Sequence, residues 1–266
     1  MVEDNFKELV DIVKRLRVEC PWDREQTNDS IKAATIEEAY EVVEAIDNKD
    51  YKEFKKELGD VLLHVIFHSI MAEEKNEFKL EEVIEAIKEK LIRRHPHVFG
   101  DVEVADSHEV KKNWEEIKMK EGREFVLDGV PANLPALQRA HRLQEKAAKV
   151  GFDWEKKEDV WKKVIEEIEE MHEIEKIKSQ NSKVNNLDEL NDKLESEIGD
   201  VFFALVNYAR FLNVNPENAL RKTNKKFIDR FNYVQTRVQE TGKNIHQSNL
   251  EEMDKFWNES KKVLNN

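Results

Sequence analysis

The chain states one acidic pattern twice, in the same order, and that repetition narrows the folds open to it. "TIEEAYEVVEAI" (35–46) and "VIEEIEEMHEI" (164–174) share E-E-x-x-E, while "ELGDVLLHVIF" (57–67) and "EIGDVFFALVNY" (197–208) share E-x-G-D followed by an apolar run. A third element, "KLIRRHPHVF" (90–99), has its counterpart in "KFIDRFNYVQ" (226–235). Glu38 and Glu167 are 129 residues apart and Asp60 and Asp200 are 140 apart, so the second copy carries eleven extra residues, read as the polar insert "SQNSKVNNLDE" at 179–189. Two similar domains in tandem account for this. They meet near "REFVLDGVPANLPAL" (123–137), the densest cluster of turn residues, and the expected domains are 1–125 and 126–266.

Helix formers dominate the 266 residues, and only seven Gly and five Pro interrupt them, so an all-α fold is expected. Each copy should contain a helix bearing E-E-x-x-E, a turn, a helix opening with E-x-x-D, and a later basic helix. The stretch "NLEEMDKFWNESKKVL" (249–264) reads as an added amphipathic helix. A net charge of −13 argues against a nonspecific grip on nucleic acid polymers, whose affinity comes mainly from Lys and Arg neutralising phosphates. No apolar run approaches the roughly twenty residues of a membrane span. The single cysteine, Cys20, excludes an intrachain disulfide framework and suits a reducing compartment, so a cytoplasmic protein is expected.

At 100° per residue, Glu37, Glu38, Glu41 and Glu44 share one side of their helix, an arrangement that taken singly is an ordinary solvated face. "TIEE" also has the form of a capping box with Thr35 as N-cap. From Val61 to Met71, by contrast, apolar residues stand at every angle, which reads as a buried helix with Glu57 and Asp60 at its mouth. Isolated carboxylates there would lose hydration and take up a proton or a cation. Two carboxylates at i and i+3 facing two more at i and i+3 make an oxygen cage suited to a hard cation, with Mg²⁺ the natural candidate. Glu38, Glu41, Glu57 and Asp60 form one such set, and Glu167, Glu170, Glu197 and Asp200 rebuild it in the second copy.

These motifs resemble the MazG family of nucleoside triphosphate pyrophosphohydrolases, and the resemblance covers nearly the whole chain. "CPWDREQT" (20–27), "LEEVIEAIKEKLIRRHPHVFGD" (80–101), "KVGFDW" (149–154) and "KKFIDRF" (225–231) are similar to the bacterial two-domain members. The resemblance implies tandem domains with four-helix-type cores and association into a homodimer or larger oligomer. It also implies Mg²⁺-dependent cleavage of NTP or dNTP to NMP and pyrophosphate, with Mn²⁺ able to substitute. The eight acids above would be the metal ligands. Glu37 and Glu166 become candidates for activating the attacking water. Lys222, Lys226 and Arg230 match the family's phosphate-contacting positions, and Lys90 and Arg94 correspond to Lys226 and Arg230 in the first copy. Pro96 follows closely there and should end or kink the helix, so the second copy is expected to be the principal catalytic domain.

Nothing near the acids identifies a hydrogen-bonding edge for one base, so broad specificity is expected. A dedicated dUTP or dCTP hydrolase, or a helical regulatory protein that hydrolyses nothing, are the competing readings; two intact acidic quartets oppose the last. Trp22, Phe152 and Trp154 read as core or domain-contact residues in preference to base-stacking ones. His64 and His68 read as core packing. His172 completes an E-x-x-H, but the first copy has no matching motif for a di-iron bundle.

Overall fold

In the computed structural model the described residues are 1–106, 109–110, 113–114, 117–118, 121, 124–180 and 187–264, and among them the regular structure is helical with no strand. The expected insert falls largely on 181–186, outside the described residues. The chain divides into two compact units, Met1–Lys120 and Glu121–Asn266.

In the first unit α1 (Val2–Glu19) is followed by a short α2 (Pro21–Glu25), then α3 (Lys32–Asn48), α4 (Tyr51–Glu74), α5 (Leu80–Arg94) and a single turn, α6 (Pro96–Phe99). Helices α3 and α4 form an antiparallel hairpin that turns at Lys49, which holds the left-handed φ of 56°, and at Asp50, whose side chain accepts from the Lys52 and Glu53 amides. Val13, Ile31, Ile66, Phe67, Ile70, Met71 and Leu80 make the core, with Leu63 packed against it. Arg17 fastens α1 to α4 through a 2.6 Å pair with Glu74. Pro96 does stop the basic helix: α5 ends at Arg94, and the proline opens α6 instead.

The second unit runs α7 (Ala136–Lys149), α8 (Lys157–Gln180), α9 (Leu187–Phe211), α10 (Pro216–Glu240) and α11 (Leu250–Val263). Helices α8 and α9 pair as α3 and α4 do, and α10 packs mainly against α11 around Val234, Val238 and Phe256. Between α7 and α8, Gly151 takes a φ of +89°, a left-handed value that strains any L side chain, and this turns the chain into "FDW". The segment is held by Arg210, whose guanidinium clasps Asp153 at 2.5 and 3.0 Å.

Two expectations require correction. Thr35 is not an N-cap: α3 begins at Lys32 behind Ile31, and Thr35 Oγ1 turns inward, 2.8 Å from His64 Nδ1 and 2.9 Å from His68 Nε2. The apolar run of α4 is not buried on every side either. Ile66, Phe67, Ile70 and Met71 are covered, whereas Leu62 and Val65 are exposed, on a strip of α4 that the other described helices of the unit leave uncovered. Phe202, Phe203 and Leu205 repeat this on α9. Gly59 and Gly199, the glycines of the two E-x-G-D motifs, lie inside α4 and α9 with open space where a Cβ would stand.

Candidate functional site

Each helical hairpin brings acids from both of its arms to one place. In the first unit, oxygens of Glu38 and Glu41 on α3 and of Glu57 on α4 all lie within 4.8 Å of one another. In the second, Glu167 on α8 meets Glu197 and Asp200 on α9 within the same distance. Three of each expected four are thus gathered, and the remaining acid differs: Asp60 in one copy, Glu170 in the other. Both still act electrostatically on their group. The Asp60 charge helps raise the Glu38 carboxyl, after burial and Glu41, and Glu170 is itself raised by burial and then by Glu167.

The copies relieve this crowding by different means. In copy one Glu57 is 7% exposed, and burial, followed by hydrogen bonding and charge from Glu53 and Glu41, pushes its carboxyl up to about 7. In copy two a lysine stands in as the counterion. Lys163 Nζ lies 2.6 Å from Glu166 and 2.7 Å from Glu167, and those carboxylates raise its own pKa. Carboxylates this close, eased in one copy by a raised carboxyl pKa and in the other by an ammonium, are a donor set that a divalent cation would fit by displacing the proton or the lysine. The oxygen-only composition suits Mg²⁺ or Mn²⁺.

Glu37 and Glu166 are exposed and precede Glu38 and Glu167 directly in sequence. The basic positions stand on other elements. Lys222 and Lys226 are exposed on α10, and Arg230 lies with its guanidinium carbon 5.8 Å from the centre of the Trp257 ring. Lys90 is exposed near the end of α5, and Arg94 is that helix's last residue.

A cavity of about 780 Å³ opens beside the second group, and Lys163, Glu167 and Asp200 form part of its wall. Phe152 and Trp154 line it as well and are 83% and 46% exposed, so of the two roles expected for them, core or domain contact, they do not fill the first. Lys163, Gln144, Asn207 and Arg210 were missed from the sequence. Only Lys163 left a signal, standing three and four residues before Glu166 and Glu167, where an i, i+3/i+4 ion pair forms.

The family described as MazG nucleotide pyrophosphohydrolase domain matches the chain twice, over residues 26–99 and 155–235. A Thermotoga maritima protein named nucleoside triphosphate pyrophosphohydrolase/pyrophosphatase MazG is 42% identical over 263 residues, covering 96% of this chain and 95% of its own length. The nucleoside triphosphate pyrophosphohydrolase of Escherichia coli is 41% identical over 261 residues, 96% of each chain. Bacillus subtilis YabN is 46% identical across 97% of this chain, which corresponds to 52% of that longer protein. The two matched segments contain the two carboxylate groups, and with near full-length identity above 40% to two relatives, the chain belongs to the MazG nucleotide pyrophosphohydrolase domain family.

Proposed function

We propose that this protein is an Mg²⁺-dependent nucleoside triphosphate pyrophosphohydrolase of broad base specificity, converting NTP or dNTP and water to NMP or dNMP and pyrophosphate. The observation that carries the reading is the doubled carboxylate group, built from facing helices, with the Glu57 carboxyl raised in one copy and Lys163 paired to Glu167 in the other. Glu38, Glu41, Glu57 and Asp60 would hold the cation in copy one, and Glu167, Glu170, Glu197 and Asp200 in copy two. A divalent cation bound there would supply Lewis acidity and charge neutralisation, with Mn²⁺ able to substitute for Mg²⁺.

The chain's own residues do the rest. Glu166, and Glu37 in copy one, are the exposed neighbours of Glu167 and Glu38 and would orient water and take its proton. As the water oxygen bonds to the α-phosphorus, the bond from that phosphorus to the α,β-bridging oxygen breaks and pyrophosphate departs. Lys222, Lys226 and Arg230 offer cationic contacts to the phosphates, Arg by a two-point fork. Lys90 and Arg94 are the copy-one counterparts, on a helix that ends at Arg94 ahead of Pro96. We place the working domains at 1–125 and 126–266, the protein in the cytoplasm, and a homodimer as the smallest assembly. Among the described residues no helix is long and apolar enough to cross a membrane.

The test is turnover of the eight common nucleotides with and without Mg²⁺, read by phosphate release coupled to inorganic pyrophosphatase, alongside a reaction in ¹⁸O-water. Label in the NMP, with no NDP formed, is expected. Label confined to released phosphate, or no turnover of any nucleotide, would refute the reading.

A further inference from the structure

Copy one carries a polar cluster beside its carboxylates that the second copy does not repeat. Thr35 Oγ1 donates its one proton to the Ile31 carbonyl oxygen at 3.2 Å, and it also stands 2.8 Å from His64 Nδ1 and 2.9 Å from His68 Nε2. With that proton committed, the hydroxyl can only accept from the two rings, so His64 carries a proton on Nδ1 and His68 on Nε2. Neutral His64 in this tautomer has a bare lone pair on Nε2. A ring fixed by a hydrogen bond from its other N–H is the form in which histidine ligates metals. His64 Nε2 lies 4.0 Å from Glu38 Oε1, and the two side chains are 13% and 23% exposed.

That separation is too long for a hydrogen bond. Bonds of about 2.0–2.1 Å to an imidazole nitrogen and about 2.0–2.2 Å to a carboxylate oxygen let two donors of one ion stand up to about 4.3 Å apart, so a single ion can bridge the pair. Glu38 is also one of the three acids gathered in copy one, with Glu41 and Glu57. Glu57, Asp60 and His64 follow at i, i+3 and i+7 on α4, which puts them on one face of that helix. The offsets of 129 and 140 residues that relate Glu38 to Glu167 and Asp60 to Asp200 place Val164, Ala204 and Tyr208 where copy one has Thr35, His64 and His68. The same register places Ala34 where copy two has Lys163. Copy two thus offers a cation oxygens and a competing ammonium, and copy one offers it oxygens and an imidazole nitrogen.

Resting on the reading of the carboxylate groups as cation sites, we propose that copy one is a mixed nitrogen and oxygen site that takes a transition ion of the Zn²⁺ class in preference to Mg²⁺, with His64 Nε2 as the selecting ligand. Glu38, Glu41 and Glu57 are its oxygen donors. Thr35 is a positioning residue, holding the His64 ring and its tautomer. Imidazole suits Zn²⁺ and its transition-metal neighbours, whereas Mg²⁺ takes oxygen and keeps several waters, so the nitrogen adds affinity for the first class and little for the second. The two copies of one acidic pattern therefore hold two kinds of ion, and a single histidine in place of Ala204 makes the difference.

The experiment uses the full-length protein stripped of metal by a chelator and titrated by calorimetry with Zn²⁺ and separately with Mg²⁺. His64→Gln and Thr35→Val are the variants, each with a melting curve to verify folding. Thr35→Val should weaken the tightest Zn²⁺ step about tenfold, the low end for loss of the partner behind a ligating histidine, and His64→Gln should weaken it further. Mg²⁺ affinity should stay within about twofold in both. Co²⁺ then serves as a spectroscopic probe. Proton NMR of the Co²⁺-loaded wild type in H₂O should show a hyperfine-shifted exchangeable resonance from His64 Nδ1–H, absent in His64→Gln and broadened by solvent exchange in Thr35→Val. Unchanged Zn²⁺ affinity in folded His64→Gln overturns the proposal, as does equal weakening of Zn²⁺ and Mg²⁺, which would give the histidine a purely structural part. Wild-type protein that binds Co²⁺ stoichiometrically with no shifted exchangeable resonance also overturns it, whether or not the variants fold. Mg²⁺-dependent nucleotide turnover alongside any of these results leaves the enzyme reading standing, whereas wild-type protein that binds neither Zn²⁺ nor Mg²⁺ refutes the cation reading beneath the proposal as well.

Discussion

Glu57 gives the most direct test of whether the copy-one carboxylates form a cation site. Its carboxyl, pushed up to about 7, has to release a proton before both oxygens can coordinate. Roughly 90% of such a group is protonated at pH 6 and roughly 10% at pH 8, so apparent Mg²⁺ affinity at copy one should rise about tenfold over that interval. The measurement is calorimetry on Asp200→Ala, which removes an oxygen from the second group, in buffers of different ionisation enthalpy so that the released proton is counted. Stability without cation should move the opposite way. The folded pKa lies above the ordinary 4.5, so the stabilisation associated with this group is full below about pH 4.5 and is lost as pH rises through 7. Glu57→Gln should abolish that part of the pH dependence in melting curves. Mg²⁺ affinity that is flat from pH 6 to 8, or an unchanged pH profile in Glu57→Gln, would refute the argument.

Asp200→Ala is expected to lower turnover at least about 100-fold in a folded protein, while Asp60→Ala retains much of it, because only the second copy combines the acids with a long basic helix; the reverse result would mean the copies are assigned backwards. Lys163→Met removes the internal counterion of Glu166 and Glu167, so Mg²⁺ should bind copy two several-fold more tightly. Weaker binding would show that the lysine positions Glu167 and does not compete for it. The exposed Leu62 and Val65 on α4, and Phe202 and Leu205 on α9, predict a dimer or larger species at micromolar concentration. Sedimentation as a compact monomer would contradict this, and Phe202→Asp should push the equilibrium toward monomer.

The acid groups were legible because helical spacing alone puts i and i+3 on one face, and duplication lifted the pattern above the background of a Glu-rich chain. The break at Pro96 was legible for the same local reason. What failed depended on tertiary neighbours. Thr35 has the sequence context of a cap, but two histidines a hairpin away draw it into the helix interior. The apolar run from Val61 promised burial on every side, and pattern cannot say how many neighbours will arrive to provide it. Phe152 and Trp154 carry the size of core residues and no mark of the cavity they border. Gln144 is a polar residue in an amphipathic helix, and its unmet oxygen exists only once α7 is laid beside Phe203.

Gly59 and Gly199 lead to one more consequence. A glycine in a helix interior forfeits about 1 kcal/mol relative to alanine, and at both positions the chain itself leaves room for a methyl group. Folding of the lone chain therefore gains from Gly59→Ala and from Gly199→Ala, and each should raise the melting temperature. Whatever is lost in the same variants, turnover in one case or association in the other, reports how closely a ligand or a second copy approaches the helix at that turn. The two glycines thus serve as clearance gauges, one per repeat, that separate the needs of folding from the needs of whatever comes to rest against the helix.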